Sequence, residues 1–132
     1  MQTQISSMLA VNDGNAAIRF YESAFGAILL WRRRTRRRRA RDQRRPVFSP
    51  SESPSFGTRA SASVGFTTVR IELFVDDPVG VHRQAIAAGA IEHSRVEEHN
   101  YPTTGPHPIG RMLQGAVVDP FGHMWLIGRF LE

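Results

Sequence analysis

Two stretches of this 132-residue chain echo each other at an offset of about half its length. Val11-Asn12-Asp13 leads through a helix-like run to Phe25-Gly26-Ala27, and Val75-Asp76-Asp77 leads through a similar run to Ala88-Gly89-Ala90. Such self-similarity predicts one short unit used twice. A unit of roughly 60 residues buries too little apolar surface to be secure alone, so it gains stability by packing on its twin. The groove between twins is then the place to expect a ligand.

The residues around each echo say what the unit is. Residues 5–11 are short, apolar and free of Gly and Pro, which predicts a strand. Asp13 is a good N-cap, because its carboxylate accepts from the orphan N–H groups that open a helix. Ala17, Phe20, Tyr21, Ala24 and Phe25 recur at helical spacing and form one apolar stripe. Gly26 suits a left-handed stop, and residues 27–31 begin a second strand. The second half repeats the grammar. Residues 69–75 alternate, with Arg70, Glu72 and Phe74 on one face and Ile71, Leu73 and Val75 on the other. Asp77 caps, Pro78 fits the first helical turn, and Val81, Ala85, Ile86 and Ala88 supply the stripe that Gly89 ends. Strands are expected at 91–98, 112–118 and 124–130, with a Pro/Gly/Thr loop at 101–108 and a turn at Asp119-Pro120-Phe121-Gly122.

The first half does not complete the pattern. All 17 basic residues are arginine, and ten of them crowd between Arg32 and Arg45, where the only apolar residue is Ala40. No register of that stretch gives a buried strand face, so the third and fourth strands of the first unit are read as disrupted. Outside it, seven arginines face eleven acids, so the remainder carries a net −4 despite the overall +5. This is a mildly acidic domain interrupted by a basic block. Three readings of the block stay open. It is a phosphate-binding arm for nucleic acid, or a solvated basic loop, or the product of two compensating frame errors in a GC-rich gene. Residues 49–63 read as a Ser/Pro/Gly linker. The expected layout is a single domain, with module one at 1–52, a linker at 53–66 and module two at 67–132.

Composition excludes some chemistry. With no cysteine there is no disulfide and no thiolate. The opening Met1-Gln2-Thr3-Gln4-Ile5 lacks the basic and apolar regions of a signal peptide, so a cytoplasmic location is expected. No apolar run approaches the ~18 residues of a membrane span. No Ser/His/Asp nucleophile arrangement or phosphate-cradling glycine motif stands out. His93, Glu97 and His99 fit a solvated strand face better than a surface metal site, and His107 and His123 are read as lying in a loop and after a structural turn.

The residues Met8-Leu9-Ala10-Val11-Asn12-Asp13-Gly14, Ala17-Ile18-Arg19-Phe20-Tyr21, Ala24-Phe25-Gly26-Ala27, Val69-Arg70-Ile71-Glu72-Leu73-Phe74-Val75-Asp76-Asp77 and Asp119-Pro120-Phe121-Gly122-His123 together carry a family resemblance. The chain resembles the vicinal oxygen chelate superfamily, the glyoxalase/bleomycin-resistance/dioxygenase group, and its PhnB-like members in particular. The similarity covers 5–31 and roughly 53–130 and fails from 32 to about 48. It implies an α+β fold of two βαβββ modules forming a curved mixed sheet around a cleft, often within a homodimer. It also implies a divalent metal held from strands of both modules. Carried onto this chain, three of the usual ligand positions fall on Ser6, Arg70 and Leu126. Serine is a poor ligand, arginine a fixed cation, and leucine has no donor, so no metal and no other cofactor are expected.

Alternation places Met8, Phe74, Met124 and Leu126 on the cleft side, with Arg70, Glu72 and Gln114 as polar anchors and Met112, Ser6 and Ala10 beside them. Such a lining suits a small, partly apolar ligand. An ion pair between Arg70 and Glu72 within the sheet is the plain structural alternative. The expected function is metal-free small-molecule binding of the glyoxalase/bleomycin-resistance type. One alternative is a lyase, isomerase or dioxygenase-like enzyme with a displaced metal site or with Glu72 as acid/base. The other is nucleic-acid binding through the arginine block.

Overall fold

A computed structural model describes residue 3 and residues 7–29, 47–49 and 52–131, with 47–49 described in backbone only. In chain order the elements are β1 (Met8–Ala10), α1 (Gly14–Phe25), β2 (Val47–Ser49), α2 (Ser61–Val64), β3 (Arg70–Phe74), α3 (Pro78–Ala87), β4 (Ile91–Tyr101), β5 (Gly110–Val118) and β6 (Met124–Leu131). A single 3-10 turn, Pro54–Phe56, precedes α2. The fold is α+β, with a four-stranded mixed sheet in the order β3-β6-β5-β4 and a separate β1-β2 pair.

The caps act as their residue types dictate. Asp13 accepts from the Ala16 N–H at 2.9 Å and Asp77 from the Gly80 N–H at 2.9 Å. Gly26 ends α1 at φ 63°, a left-handed conformation that glycine adopts without a Cβ penalty. α1 and α3 lie together, joined by Gln84 Nε2 donating to the Ser23 carbonyl at 2.6 Å.

β3-α3-β4-β5-β6 is the complete strand–helix–strand–strand–strand unit that the repeat predicts. Its opening strand β3 runs parallel to its closing strand β6, Arg70 opposite Met124 and Phe74 opposite Gly128. The first half shows the same relation in miniature. β1 runs parallel to β2, with Met8 opposite Val47 and Ala10 opposite Ser49. A closing strand is therefore present at 47–49, within the stretch read from sequence as disrupted. The expected second strand at 27–31 is not found at 27–29, which carry no strand, and residues 30–46, including every arginine of the block, lie outside the described residues.

The linker is more structured than its composition suggests. α2 docks on the turn at 119–122, the Ala62 N–H donating to the Phe121 carbonyl at 2.9 Å, and Ala60 is fully buried. Glu52 accepts from the Ala60 N–H at 2.9 Å, and hydrogen bonds from Ser63 and Ala60 hold its carboxyl below the usual carboxylate range. Gly122 makes the docking fit: its φ is +85°, and a Cβ there would strike the Ala62 nitrogen and come within 2.7 Å of the Ser61 carbonyl carbon.

The core lies between α1, α3 and one face of the sheet. Leu9, Val11, Phe20, Tyr21, Val117, Phe121, Trp125 and Ile127 are buried there, with Ile71, Leu73 and Val75 packed against them as the alternation of β3 predicts. At its centre the buried Asp119 carboxylate accepts four bonds. Oδ2 receives Tyr21 Oη–H at 2.7 Å and Trp125 Nε1–H at 2.9 Å, and Oδ1 receives the backbone N–H groups of Phe121 and His123, each at 2.9 Å. Burial, then the Asp119 charge, pushes the Tyr21 hydroxyl above its ordinary range.

Candidate functional site

Register decides which side chains share the face of the sheet opposite the helices. In antiparallel and parallel pairs, directly opposed residues point the same way. Trp125 and Ile127 of β6 enter the core, so Met124, Leu126, Gly128 and Phe130 face away from it. Arg70 pairs with Met124, Glu72 with Leu126 and Phe74 with Gly128. On the other side of β6, Val118 pairs with Met124, Ala116 with Leu126, Gln114 with Gly128 and Met112 with Phe130. Arg70, Glu72, Phe74, Met112, Gln114, Met124 and Leu126 therefore converge on one face.

Met8 stands on β1 in the other sheet and is 64% exposed, and no described contact brings it to this group. Ser6 lies outside the described residues. The face is exposed along β3 and at the end of β6, where Arg70 and Glu72 are exposed, Phe74 is 48% exposed and Phe130 56%, while Met112 and Gln114 on β5 are buried. The Arg70–Glu72 ion pair is also not formed among the described residues. Ion pairs there join Glu92 to Arg95, at 3.9 Å, and Arg111 to Glu98, at 2.7 Å, and His82 Nε2 lies 4.0 Å from the Glu92 carboxylate. Arg111 holds the Glu98 carboxyl below its usual range.

Sequence reasoning missed four residues of the face. Glu97 pairs with Gln114 and His99 with Met112, so both belong to it, and Tyr101 follows at the next same-face position. Phe130 joins them from β6. Their arrangement is partly aromatic. The rings of Phe74 and Phe130 stack at 5.0 Å and 13°, and those of His99 and Tyr101 at 5.9 Å and 29°. Tyr101 Oη–H donates to Gln114 Oε1 at 3.4 Å, and His99 Nε2 lies 3.3 Å from the Gln114 carbonyl. β4 carries two register shifts, between Glu92 and Ser94 and between Ser94 and Glu97, and the two added residues cancel, so that Ile91, Glu97, His99 and Tyr101 share one face as plain alternation gives. What the count along β4 does not show is that this face is the one that also carries Gln114 and Met112.

His123 and His82 have structural roles. His123 is buried, with Nε2 2.8 Å from the Ala10 carbonyl and Nδ1 3.3 Å from Ser61 Oγ, which uses both ring nitrogens. His82, read from sequence only as part of a helix, is buried with Nε2 3.0 Å from the Ser94 carbonyl. It lines a shallow cavity of about 300 Å³ with Val79, Arg83, Ile86, Glu92 and Val96, on the helix side of β4 and away from the candidate face. Ile86, expected in the apolar stripe of α3, is 37% exposed at that cavity.

The positions that the resemblance assigns to metal do not suit one. Arg70 and Leu126 sit on the face as a cation and a hydrocarbon, and neither offers a lone pair to a metal ion. Among the described residues no three His, Asp or Glu side chains gather as a ligand group. No helix among them is long and apolar enough to cross a membrane.

No protein-family model matches the sequence, and no curated protein matches it. Solved structures do resemble it. A glyoxalase-related enzyme from Fulvimarina pelagi is similar with a TM-score of 0.59 and 18% identity, over 97% of this chain and 88% of that one. TioX from Micromonospora sp. ML1 gives 0.58 and 20%, over 98% and 100%. A glyoxalase/bleomycin resistance protein/dioxygenase family enzyme from Burkholderia phytofirmans PsJN gives 0.55 and 17%, over 96% and 97%. At these identities the likeness speaks for architecture, and the chain has the fold of the glyoxalase/bleomycin resistance/dioxygenase proteins.

Proposed function

We propose that this chain is a metal-free small-molecule-binding protein of the glyoxalase/bleomycin-resistance type, belonging to the PhnB-like subgroup and acting as a cytoplasmic homodimer of two-module chains. The observation that carries the reading is the convergence of Arg70, Glu72, Phe74, Gln114, Met124 and Leu126 on one sheet face of that fold. The face offers apolar area with a few polar anchors, the usual make-up of a small-molecule site. Arg70 and Leu126 supply no metal donors, so binding by contact and charge is the chemistry these residues can perform. A protein that sequesters its ligand needs no catalytic group.

Elemental analysis combined with a ligand screen by thermal shift tests this. The expected result is well below one metal ion per purified chain, with at least one small molecule raising the melting temperature by mass action. One tightly bound metal per chain, lost on Glu72→Ala, would refute it and favour a metal-dependent enzyme. That second reading has one observation in its favour: Glu72 is an exposed carboxylate at the middle of the face, opposite Leu126, where it can exchange protons with a ligand.

A further inference from the structure

The helix side of β4 holds a concavity of its own, formed where the strand leaves its regular register. β4 slips against β5 on both sides of Ser94, between Glu92 and Ser94 and between Ser94 and Glu97. Gly115 admits the slip, since a Cβ there would come within 2.8 Å of the Val96 nitrogen. The displaced strand sets Glu92 and Val96 opposite Val79, His82, Arg83 and Ile86 of α3, around the cavity of about 300 Å³. Bulges re-aim side chains in this way and recur beside active sites.

His82 brings one unused hydrogen-bonding atom to that wall. The residue is 6% exposed, and its Nε2 lies 3.0 Å from the Ser94 carbonyl. A carbonyl oxygen only accepts, so Nε2 carries the hydrogen and Nδ1 of the neutral ring keeps a lone pair. Nδ1 makes no hydrogen bond among the described residues, whereas any side-chain nitrogen or oxygen there that is shut off from solvent has a partner. Nδ1 therefore stands within reach of solvent, and the cavity is where this ring meets it.

We propose that this cavity binds a small neutral alcohol with a compact aliphatic body. The hydroxyl donates to His82 Nδ1, and the body packs on Val79, Ile86 and Val96. Val79 is 51% exposed and Ile86 37%, so both hold apolar surface that a ligand would take out of water. The charges at the rim select against ionised ligands, because Arg83 repels an ammonium and Glu92 repels a carboxylate. A ketone of the same size offers no donor to a lone pair. The sheet face with Arg70 and Glu72 takes no part, so the two sites stand or fall separately.

Ring-nitrogen NMR of the full chain, made with nitrogen-15-labelled histidine, tests this at about pH 8, where a free imidazole is neutral. Cyclohexanol is expected to move the His82 Nδ1 signal saturably. It is expected to leave the ring nitrogens of His123 in place, since neighbours in the protein already occupy both. Cyclohexanone, the same ring without the O–H, is expected to bind about three- to tenfold more weakly. Val79→Asp puts a carboxylate on the apolar wall, at an exposed position in the first turn of α3 where the helix dipole tolerates it. It is expected to weaken cyclohexanol by about the same factor and to leave the circular dichroism melt unchanged. Equal binding of cyclohexanone would overturn the hydroxyl class, and tighter binding of cyclohexanecarboxylate would overturn the neutral class. A His82 Nδ1 signal that cyclohexanol leaves unmoved, or one that saturates identically in Val79→Asp, would overturn the site.

Discussion

Replacing Asp119 by asparagine tests whether the core is organised around a charge. The carboxylate is almost fully buried and accepts four hydrogen bonds, two at each oxygen. Asparagine is isosteric and keeps Oδ1 for the Phe121 and His123 N–H groups. It puts an NH2 where Oδ2 was, facing two donors. The Tyr21 hydroxyl can turn and accept, but the Trp125 indole N–H cannot, so one charge-assisted bond is lost and one buried donor is stranded. Together these cost about 2–4 kcal/mol. With an unfolding entropy near 2.1 cal/mol/K per residue, 132 residues convert this to a fall in melting temperature of about 7–14 °C. Circular dichroism melting of the wild type, Asp119→Asn, Trp125→Phe and the double variant gives both the fall and the coupling. A coupling of about 0.5–3 kcal/mol is expected for residues in direct contact. A fall under about 3 °C, or a coupling indistinguishable from zero, would refute the reasoning.

Three further outcomes follow from the same geometry. Tyr21 has its ionisation raised in the folded state, so its contribution is complete below the unfolded value of about 10 and is lost as pH climbs above it; Tyr21→Phe is expected to flatten the alkaline arm of a stability–pH curve, and an unchanged arm would count against the buried bond. Gly122→Ala combines a positive φ with a backbone collision at Ala62, and is expected to destabilise by about 2–4 kcal/mol in urea unfolding, against about 0.5 kcal/mol for an alanine at an exposed position of ordinary φ. Arg70→Ala removes an exposed side chain that makes no ion pair among the described residues, so its melting temperature is expected to stay within about 2 °C of wild type while any anionic ligand found by screening binds more weakly; a larger drop would show a structural role.

What was legible in the sequence was local and periodic. Asp13, Asp77 and Gly26 announce helix ends because the free N–H groups and the left-handed stop require those residue types. The alternation of β3 sorts Arg70, Glu72 and Phe74 from Ile71, Leu73 and Val75 because a strand has period two. The failures are where pairing or packing overrides composition. Glu97 and His99 read as a solvated face and Tyr101 as the start of a loop, and only their pairing with β5 places them beside Gln114 and Met112. The Ser-rich stretch before β3 reads as a linker, yet α2 is held there by a tertiary contact with the Phe121 carbonyl that no local pattern signals. Val47-Phe48-Ser49 escapes notice because three residues are too few to show alternation, and only their pairing with β1 defines them.

The distribution of anchors along the chain bears on how this sequence is free to change. One imidazole, that of His123, touches the Ala10 carbonyl and the Ser61 hydroxyl, and so clasps both ends of a span of fifty residues. Within that span the described core cluster draws on Val11 through Phe25, and Ala60 is fully buried near its far end. With both ends held, the cost of closing the intervening chain grows only as the logarithm of its length, about 0.6 kcal/mol per doubling. The clasp fixes where the two ends sit whatever the length of chain between them, so a change of length there is expected to cost little while Asp119, Tyr21 and Trp125 keep their bonds.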